Sequence, residues 1–266
     1  MLDRINNYFI RKRDKEYQKL LKLSRFPRYT KGVFELDNSK FSFPDTASFV
    51  FMYKEIFKQE IYKFESINES PNIIDCGANI GMSVVYCKRQ FPKARITAFE
   101  PEKKIFEYLK TNIEAHDLFD VTIINKAVWK ENTTLNFINE GADANRITLI
   151  NNDANNSPTY EVQAVKLSDY INEEVDFLKL DIEGAEVEVI KEIAFKLKYV
   201  KRIFIEYHSS ENSGQELDII LDILTKNNFH YYIDSPNRTR RMPFIDKTNY
   251  LSFDFFLNIF AIQKNS

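Results

Sequence analysis

Three strings in the chain carry residues that could do chemistry. The first is Ile73-Ile74-Asp75-Cys76-Gly77-Ala78-Asn79-Ile80-Gly81, which sets an acid, two glycines and an asparagine directly behind a short apolar run. Glycines at such a place permit a tight turn and let a ligand approach the backbone closely. A helix starting near Gly81 presents free N–H groups and the positive end of its dipole, which suits a ligand carboxylate. Asp75 is placed to receive an ammonium of the same ligand, directly or through water. The second string is Ile96-Thr97-Ala98-Phe99-Glu100. An acid at the end of a second strand accepts both hydroxyls of a ribose. The third is Lys179-Leu180-Asp181-Ile182-Glu183-Gly184-Ala185-Glu186. Strand alternation puts Lys179, Asp181 and Glu183 on one side, and three charges on a buried strand are costly unless paired or used. Glu186 falls on a first helical turn, where the dipole favours an acid.

Together these strings outline a ligand with a carboxylate, an ammonium and a ribose, and S-adenosylmethionine has all three. Asn125-Lys126-Ala127-Val128 closes a third strand, where an adenine edge would lie against Ala127; a simple turn reads nearly as well. Glu206-Tyr207-His208 adds an imidazole, which titrates near about pH 6.5 when unperturbed. Asp181, Glu183 or His208 would take the proton of an attacked hydroxyl, with Lys179 beside them. Asp181 and Glu183 also invite a divalent cation, but the ligand set is incomplete in the sequence, so a metal is not favoured.

The elements that must position these residues alternate. Strands at 73–75, 95–99, 121–125, 176–182, 202–207 and 229–233 interleave with helices at 81–90, 102–115, 184–198 and 213–228, and a last strand covers 253–263. Residues 133–138 and 160–167 read as an antiparallel insertion split by the Asn-rich stretch 151–156. Ahead of this repeat lie an amphipathic helix at 3–23, a hairpin at 32–43 around Asp37-Asn38, and a helix at 46–64. Alternating strands and crossover helices imply a doubly wound, mostly parallel α/β sheet with an antiparallel last strand. The expected division is an N-terminal helical and hairpin extension, 1–70, forming a cap over the pocket or a dimer contact in a homo-oligomer, and a ligand-binding domain, 71–266. Such sheets bind at the carboxyl ends of their strands, where all three strings fall.

Composition narrows the class. Gly is scarce, with six in 266 residues, so glycines inside a motif are informative. The N-terminal stretch lacks the unbroken apolar region of a secretory leader. Two cysteines, Cys76 and Cys87, suggest buried apolar side chains in a reducing compartment, so a cytoplasmic protein is expected. Residues 1–31 hold ten Lys or Arg against three acids, a net +7, and the remainder carries −9. A basic head suits peripheral contact with an anionic membrane surface or an anionic acceptor, or is a solvated helix face. Arg238, Arg240 and Arg241 would serve an anionic acceptor in the same way. An acidic main domain argues against nucleic acid as partner.

The strings IDCGANIGMS at 74–83, FEP at 99–101, NKAV at 125–128, KLDIEGAEVEVI at 179–190 and IEYH at 205–208 resemble the FkbM-type methyltransferase family, over roughly residues 45–235. The resemblance implies a class I methyltransferase (Rossmann-like) fold and S-adenosylmethionine as donor. It implies O-methylation of a sugar, polysaccharide or small-molecule acceptor. It carries the cofactor role onto Asp75, Gly77, Asn79, Gly81 and Glu100, and a less settled role onto Lys179, Asp181, Glu183 and Gly184. A nicotinamide-dependent sugar oxidoreductase or epimerase would want glycine in place of Asn79 and a Tyr-x-x-x-Lys pair, which the strand–helix repeats from residue 72 onward lack. A catalytically silent binding module on the same fold would have no need of the intact charged strings.

Overall fold

The computed structural model describes residues 15–139, 145–148, 159–209, 214–236 and 255–264. The basic residues 4–13, the Asn-rich stretch 151–156 and Arg238, Arg240 and Arg241 lie outside these. In chain order the elements are α1 (Lys15–Leu23), β1 (Gly32–Leu36), β2 (Ser39–Phe43), α2 (Thr46–Tyr53), β3 (Asn72–Cys76), α3 (Met82–Gln90), β4 (Arg95–Phe99), α4 (Lys103–Ala115), β5 (Val121–Ile124), β6 (Ala127–Trp129), β7 (Thr133–Asn139), β8 (Asn145–Thr148), β9 (Thr159–Lys166), β10 (Phe177–Leu180), α5 (Glu186–Ile193), β11 (Arg202–Ser209), α6 (Leu217–Lys226), β12 (Phe229–Asp234) and β13 (Phe255–Gln263).

Seven strands form the central sheet in the order β12-β13-β11-β10-β3-β4-β5. β3, β4, β5, β10 and β11 run parallel, and β13 is antiparallel to both of its neighbours. From β3 the chain moves outward through β4 and β5, then returns to β10 on the other side of β3. The strand order therefore reverses between β3 and β10, which opens a crevice at their carboxyl ends. Ile73, Ile74, Leu178 and Leu180 are almost fully buried, as strands covered on both faces must be. One face carries α3 and α4, with Val84, Val85, Ile105 and Leu109 in its core. The other carries α5 and α6, with Val189, Ile190, Ile220 and Leu224. Cys76 and Cys87 are both free and buried, as their apolar settings suggest.

The insertion is larger than its two anticipated strands. β7 pairs with β9 and β8, and β6 runs parallel to β9, giving a four-stranded sheet in the order β6-β9-β7-β8. Two helices are shorter than their patterns suggest. α2 is capped by Asp45, whose carboxylate accepts from the Ser48 N–H. It widens into a π-helical turn at Lys54–Lys58 and stops there, because Glu60 takes a left-handed φ of 54°. α5 tightens after Ile193 into a 3-10 segment, Ala194–Tyr199.

The hairpin β1–β2 turns at Asp37 and Asn38 with φ of 49° and 65°, a conformation these two residue types tolerate. It does not stand off from the sheet. Phe34, Phe41, Phe43 and Phe49 share one apolar core with Ile73, Ala98 and Leu109. Asn112 of α4, fully buried, donates to the carbonyls of Ser42 (2.9 Å) and Ile80 (2.8 Å) and accepts from the Ser42 N–H (2.7 Å). One side chain thus ties the extension to the loop after β3. No described helix is long and apolar enough to cross a membrane.

Candidate active site

The loop after β3 is a bend that only particular residues can make. Gly77 and Gly81 hold φ of 83° and 88°, and Asn79 holds 48°. A Cβ on Gly77 would lie 1.8 Å from the Asp181 carbonyl oxygen, and one on Gly81 would lie 2.7 Å from Leu109 Cδ1. The N–H groups of Gly77 and Ala78 both donate to the Phe99 carbonyl, at 3.0 and 2.8 Å, which pulls the bend over the end of β4. Asn79 supports its own turn, its Oδ1 accepting from the Ile80 N–H at 2.8 Å.

Glu100 meets this bend. Its Oε2 accepts from the Asn79 N–H and its Oε1 from the Glu102 N–H, each at 2.9 Å. Burial pushes this carboxyl up to about 7, partly offset by the two backbone donors. A carboxylate so held keeps lone pairs on both oxygens for further donors. Asn125 fixes the neighbouring turn, its amide donating to the carbonyls of Glu100 (2.9 Å) and Pro101 (3.0 Å).

Beneath the bend lies Lys179, almost fully buried. Its ammonium donates to the Gly77 carbonyl at 2.8 Å and sits 3.2 Å from Asp181 Oδ2 and 3.3 Å from Asp75 Oδ1. It also lies over the ring of Tyr62, 5.8 Å from the centroid. Burial works against its charge, but Asp181 and Asp75 outweigh it and hold the ammonium well above the ordinary lysine value. Asp75 is closed in as well, its Oδ2 accepting from the Ser83 hydroxyl.

A third group gathers at the ends of β10 and β11. β10 ends at Leu180, so the simple alternation of 179, 181 and 183 does not persist. Asp181 reaches back to Lys179, while a left-handed φ of 55° at Glu183, followed by 97° at Gly184, turns Glu183 towards β11. There His208 Nε2 stands 3.6 Å from Glu183 Oε2 and 3.5 Å from Glu206 Oε1. Its Nδ1 is 3.0 Å from Glu186 Oε1. Glu186, 1% exposed, also accepts from the N–H groups of Ile182 and Gly184, so the acid at the start of α5 holds both the loop and the imidazole. Burial opposes charge on His208, but Glu186 and Glu183, with Glu206, outweigh it and hold the ring well above the ordinary imidazole value. Burial and the neighbouring Asp181 and Glu186 push the Glu183 carboxyl up, against the pull of His208.

The structure therefore brings Gly77, Asn79, Gly81 and Glu100 into one cradle. The buried Asp75 and Lys179 and the part-exposed Asp181 form a network under it, with Glu183 and His208 at its side. Ala127 is buried at the head of β6 in the insertion sheet, two residues after Asn125, whose amide bonds the Glu100 carbonyl. Two further acids join the site. Glu206 shares a strand face with His208 two residues on, a period-2 signal that was legible. Glu55, on the π-helical turn after α2, had no signal in sequence. Burial, then Glu206 and Asp181, push its carboxyl up to about 7, and the Tyr62 ring against Lys179 likewise comes from the N-terminal extension.

The sequence matches the family model for the methyltransferase FkbM domain over residues 75–231. Methyltransferase 1 of Beauveria bassiana (strain ARSEF 2860) is 31% identical over 163 residues, covering 53% of this chain and 66% of that relative, just under two thirds of its length. The 31-O-demethyl-FK506 methyltransferase FkbM of Streptomyces tacrolimicus is 34% identical over 68 residues, 25% of this chain and 26% of the relative. Among solved structures, methyltransferase FkbM from Methylobacillus flagellatus KT superposes with a TM-score of 0.51 at 14% identity, over 77% of this chain and 46% of that one. That last likeness speaks for the fold.

Proposed function

The chain belongs to the methyltransferase FkbM family, with a class I methyltransferase fold, and on that premise we propose that it binds S-adenosylmethionine and methylates a hydroxyl of a sugar, polysaccharide or related small molecule. One observation carries the reading: Glu100 accepts from the Asn79 N–H at 2.9 Å, so an acid and a glycine bend meet where β3 and β4 end, the place at which such sheets hold a nucleotide. The residues fit the donor independently of the family. The missing Cβ at Gly77 lets the bend close against the Asp181 carbonyl, and Glu100 offers a vicinal diol two acceptor oxygens.

When bound, S-adenosylmethionine supplies a methyl group already activated on a sulfonium. The protein's own work is then alignment, exclusion of water and removal of one proton. Gly77–Gly81 and Glu100 hold the donor. Lys179 acts as a strut, joining the Gly77 carbonyl to Asp181 and Asp75, so the cradle and the acids move as one body. Glu183 is our candidate proton acceptor: it is part-exposed and its carboxyl is raised, which suits a base working near neutrality. His208, ringed by carboxylates that keep it charged, orients Glu183 rather than taking the proton itself. The name of the Streptomyces relative, which specifies an O-demethyl substrate, agrees with oxygen as the attacking atom.

Incubating the protein with methyl-labelled S-adenosylmethionine and a panel of cell-derived glycans and hydroxylated small molecules tests this reading. The expected result is label in an alkali-stable ether of one acceptor class. Label appearing only on nitrogen, or none on any acceptor while the donor binds, would contradict it.

A further inference from the structure

Several acids crowd the ends of β10 and β11 with little to balance them. Among the described residues, the cations within reach of Asp75, Asp181, Glu183, Glu186, Glu206 and Glu55 are Lys179 and His208. Among them, Asp181, Glu206 and His208 each present a ligand atom, all within 4.8 Å of one another. Two ligands held by one ion at about 2.0–2.2 Å stand at most about 4.4 Å apart, so these three side chains need to close by only a few tenths of an ångström around an entering ion. The imidazole is set as metal-bound imidazoles are, with Nδ1 anchored on a buried carboxylate, Glu186 at 3.0 Å, and Nε2 facing the other ligands.

An independent observation comes from the next strand. Asn258 of β13 stands directly across from Glu206 of β11, and residues opposed in an antiparallel pair project from the same face. Asn258 is 3% exposed, and its Oδ1 accepts no hydrogen bond among the described residues. A buried amide oxygen without a donor is costly and is itself a cation ligand.

We propose that Asp181, Glu206 and His208, with the Asn258 amide oxygen beside them, bind one divalent first-row metal ion, of which Mn²⁺ is the probe. One nitrogen and several oxygens suit such an ion better than the all-oxygen shell that Ca²⁺ prefers. An entering ion displaces the ring proton, so the cluster exchanges one positive charge for two. This set differs from the Asp181–Glu183 pair suggested by sequence spacing, because Glu183 turns off the strand while Glu206 shares a face with His208. The site stands by itself. Its use in catalysis rests on the methyl-transfer reading: an ion there polarises the acceptor hydroxyl and leaves Glu183 to take the proton.

The test is titration of the chelator-treated full chain with Mn²⁺, followed by electron paramagnetic resonance and calorimetry. The expected result is one ion per chain, weakened about 10- to 100-fold or more in Asp181→Asn and Glu206→Gln, with circular dichroism of both variants unchanged. Asn258→Ala provides a further variant should Glu206→Gln fail to fold. No stoichiometric binding by the wild type, or binding that all three substitutions leave intact, overturns the proposal. S-adenosylmethionine titrated into the same samples separates the outcomes. Donor binding without Mn²⁺ binding defeats the metal site alone, and Mn²⁺ binding without donor binding defeats the methyltransferase reading alone.

Discussion

Gly77→Ala puts the cradle under the sharpest test. An alanine there must adopt a φ of 83°, at a cost of about 1–2 kcal/mol. Its Cβ would fall 1.8 Å from the Asp181 carbonyl oxygen, and side-chain carbons do not approach closer than 3.0 Å, so that carbonyl must retreat by about 1.2 Å. Asp181 cannot retreat without loosening its N–H bond to the Cys76 carbonyl, now 3.2 Å, worth about 1 kcal/mol. The sum is a loss of about 2–3 kcal/mol, or about 5–10 °C in Tm for a domain of this size. Function suffers more, since a displacement of this order at a reacting centre costs about 100-fold in turnover. Thermal denaturation and donor calorimetry read the two effects separately. Gly214→Ala is the control, because among the described residues its Cβ would meet nothing nearer than Glu216 Cγ at 3.8 Å. A Gly77→Ala protein that melts and binds donor like Gly214→Ala would refute the steric argument.

Three further outcomes follow from the same geometry. Glu100 has a folded pKa raised to about 7, so its contribution to the stability of the free protein is fully present below about pH 4.5 and is lost as pH rises through 7. Donor affinity runs the opposite way, weakening towards tenfold per pH unit below 7 because the ionised form binds the diol; Glu100→Gln should flatten that profile in calorimetry. Glu183→Gln should lower turnover about 10²- to 10⁴-fold while leaving donor affinity within a few-fold, and steady-state kinetics beside calorimetry would expose unchanged turnover. Asp45 has its carboxyl lowered: burial opposes this, but bonds from Ser48 and Tyr29 and the charge of Arg28 prevail. Its contribution is present above the ordinary carboxylate range and lost as pH falls through the depressed value. Asp45→Ala should cost about 1–3 kcal/mol and remove that part of the acid sensitivity, measured by urea denaturation across pH.

Much of this was legible because the information is local. β3, β4 and β11 announce themselves as short apolar runs, and Gly77, Asn79 and Gly81 mark their own bend because few other residues take those backbone angles. Glu100 follows from its place at the end of β4. Distant partners were less legible. Nothing in the sequence says that the helix after Asp45 stops at Lys58, since Glu60 breaks it through backbone conformation rather than composition, and so nothing placed Glu55 beside Glu206. The reach of Glu186 to His208 spans two elements and requires the register of β10 on β11. In sequence Lys179 is one charge among three on a strand face; its depth and its bond to the Gly77 carbonyl emerge only once β3 and β10 are paired.

Isothermal titration of the purified chain with S-adenosylmethionine, run beside NAD and repeated on Glu100→Ala, tests the central claim most directly. Convergence of the glycine bend and Glu100 on one nucleoside predicts a single saturable site for S-adenosylmethionine, no matching site for NAD, and loss of binding by about tenfold or more when the carboxylate is removed. Equal binding of S-adenosylmethionine by wild type and Glu100→Ala, or saturable binding of NAD alone, would contradict it.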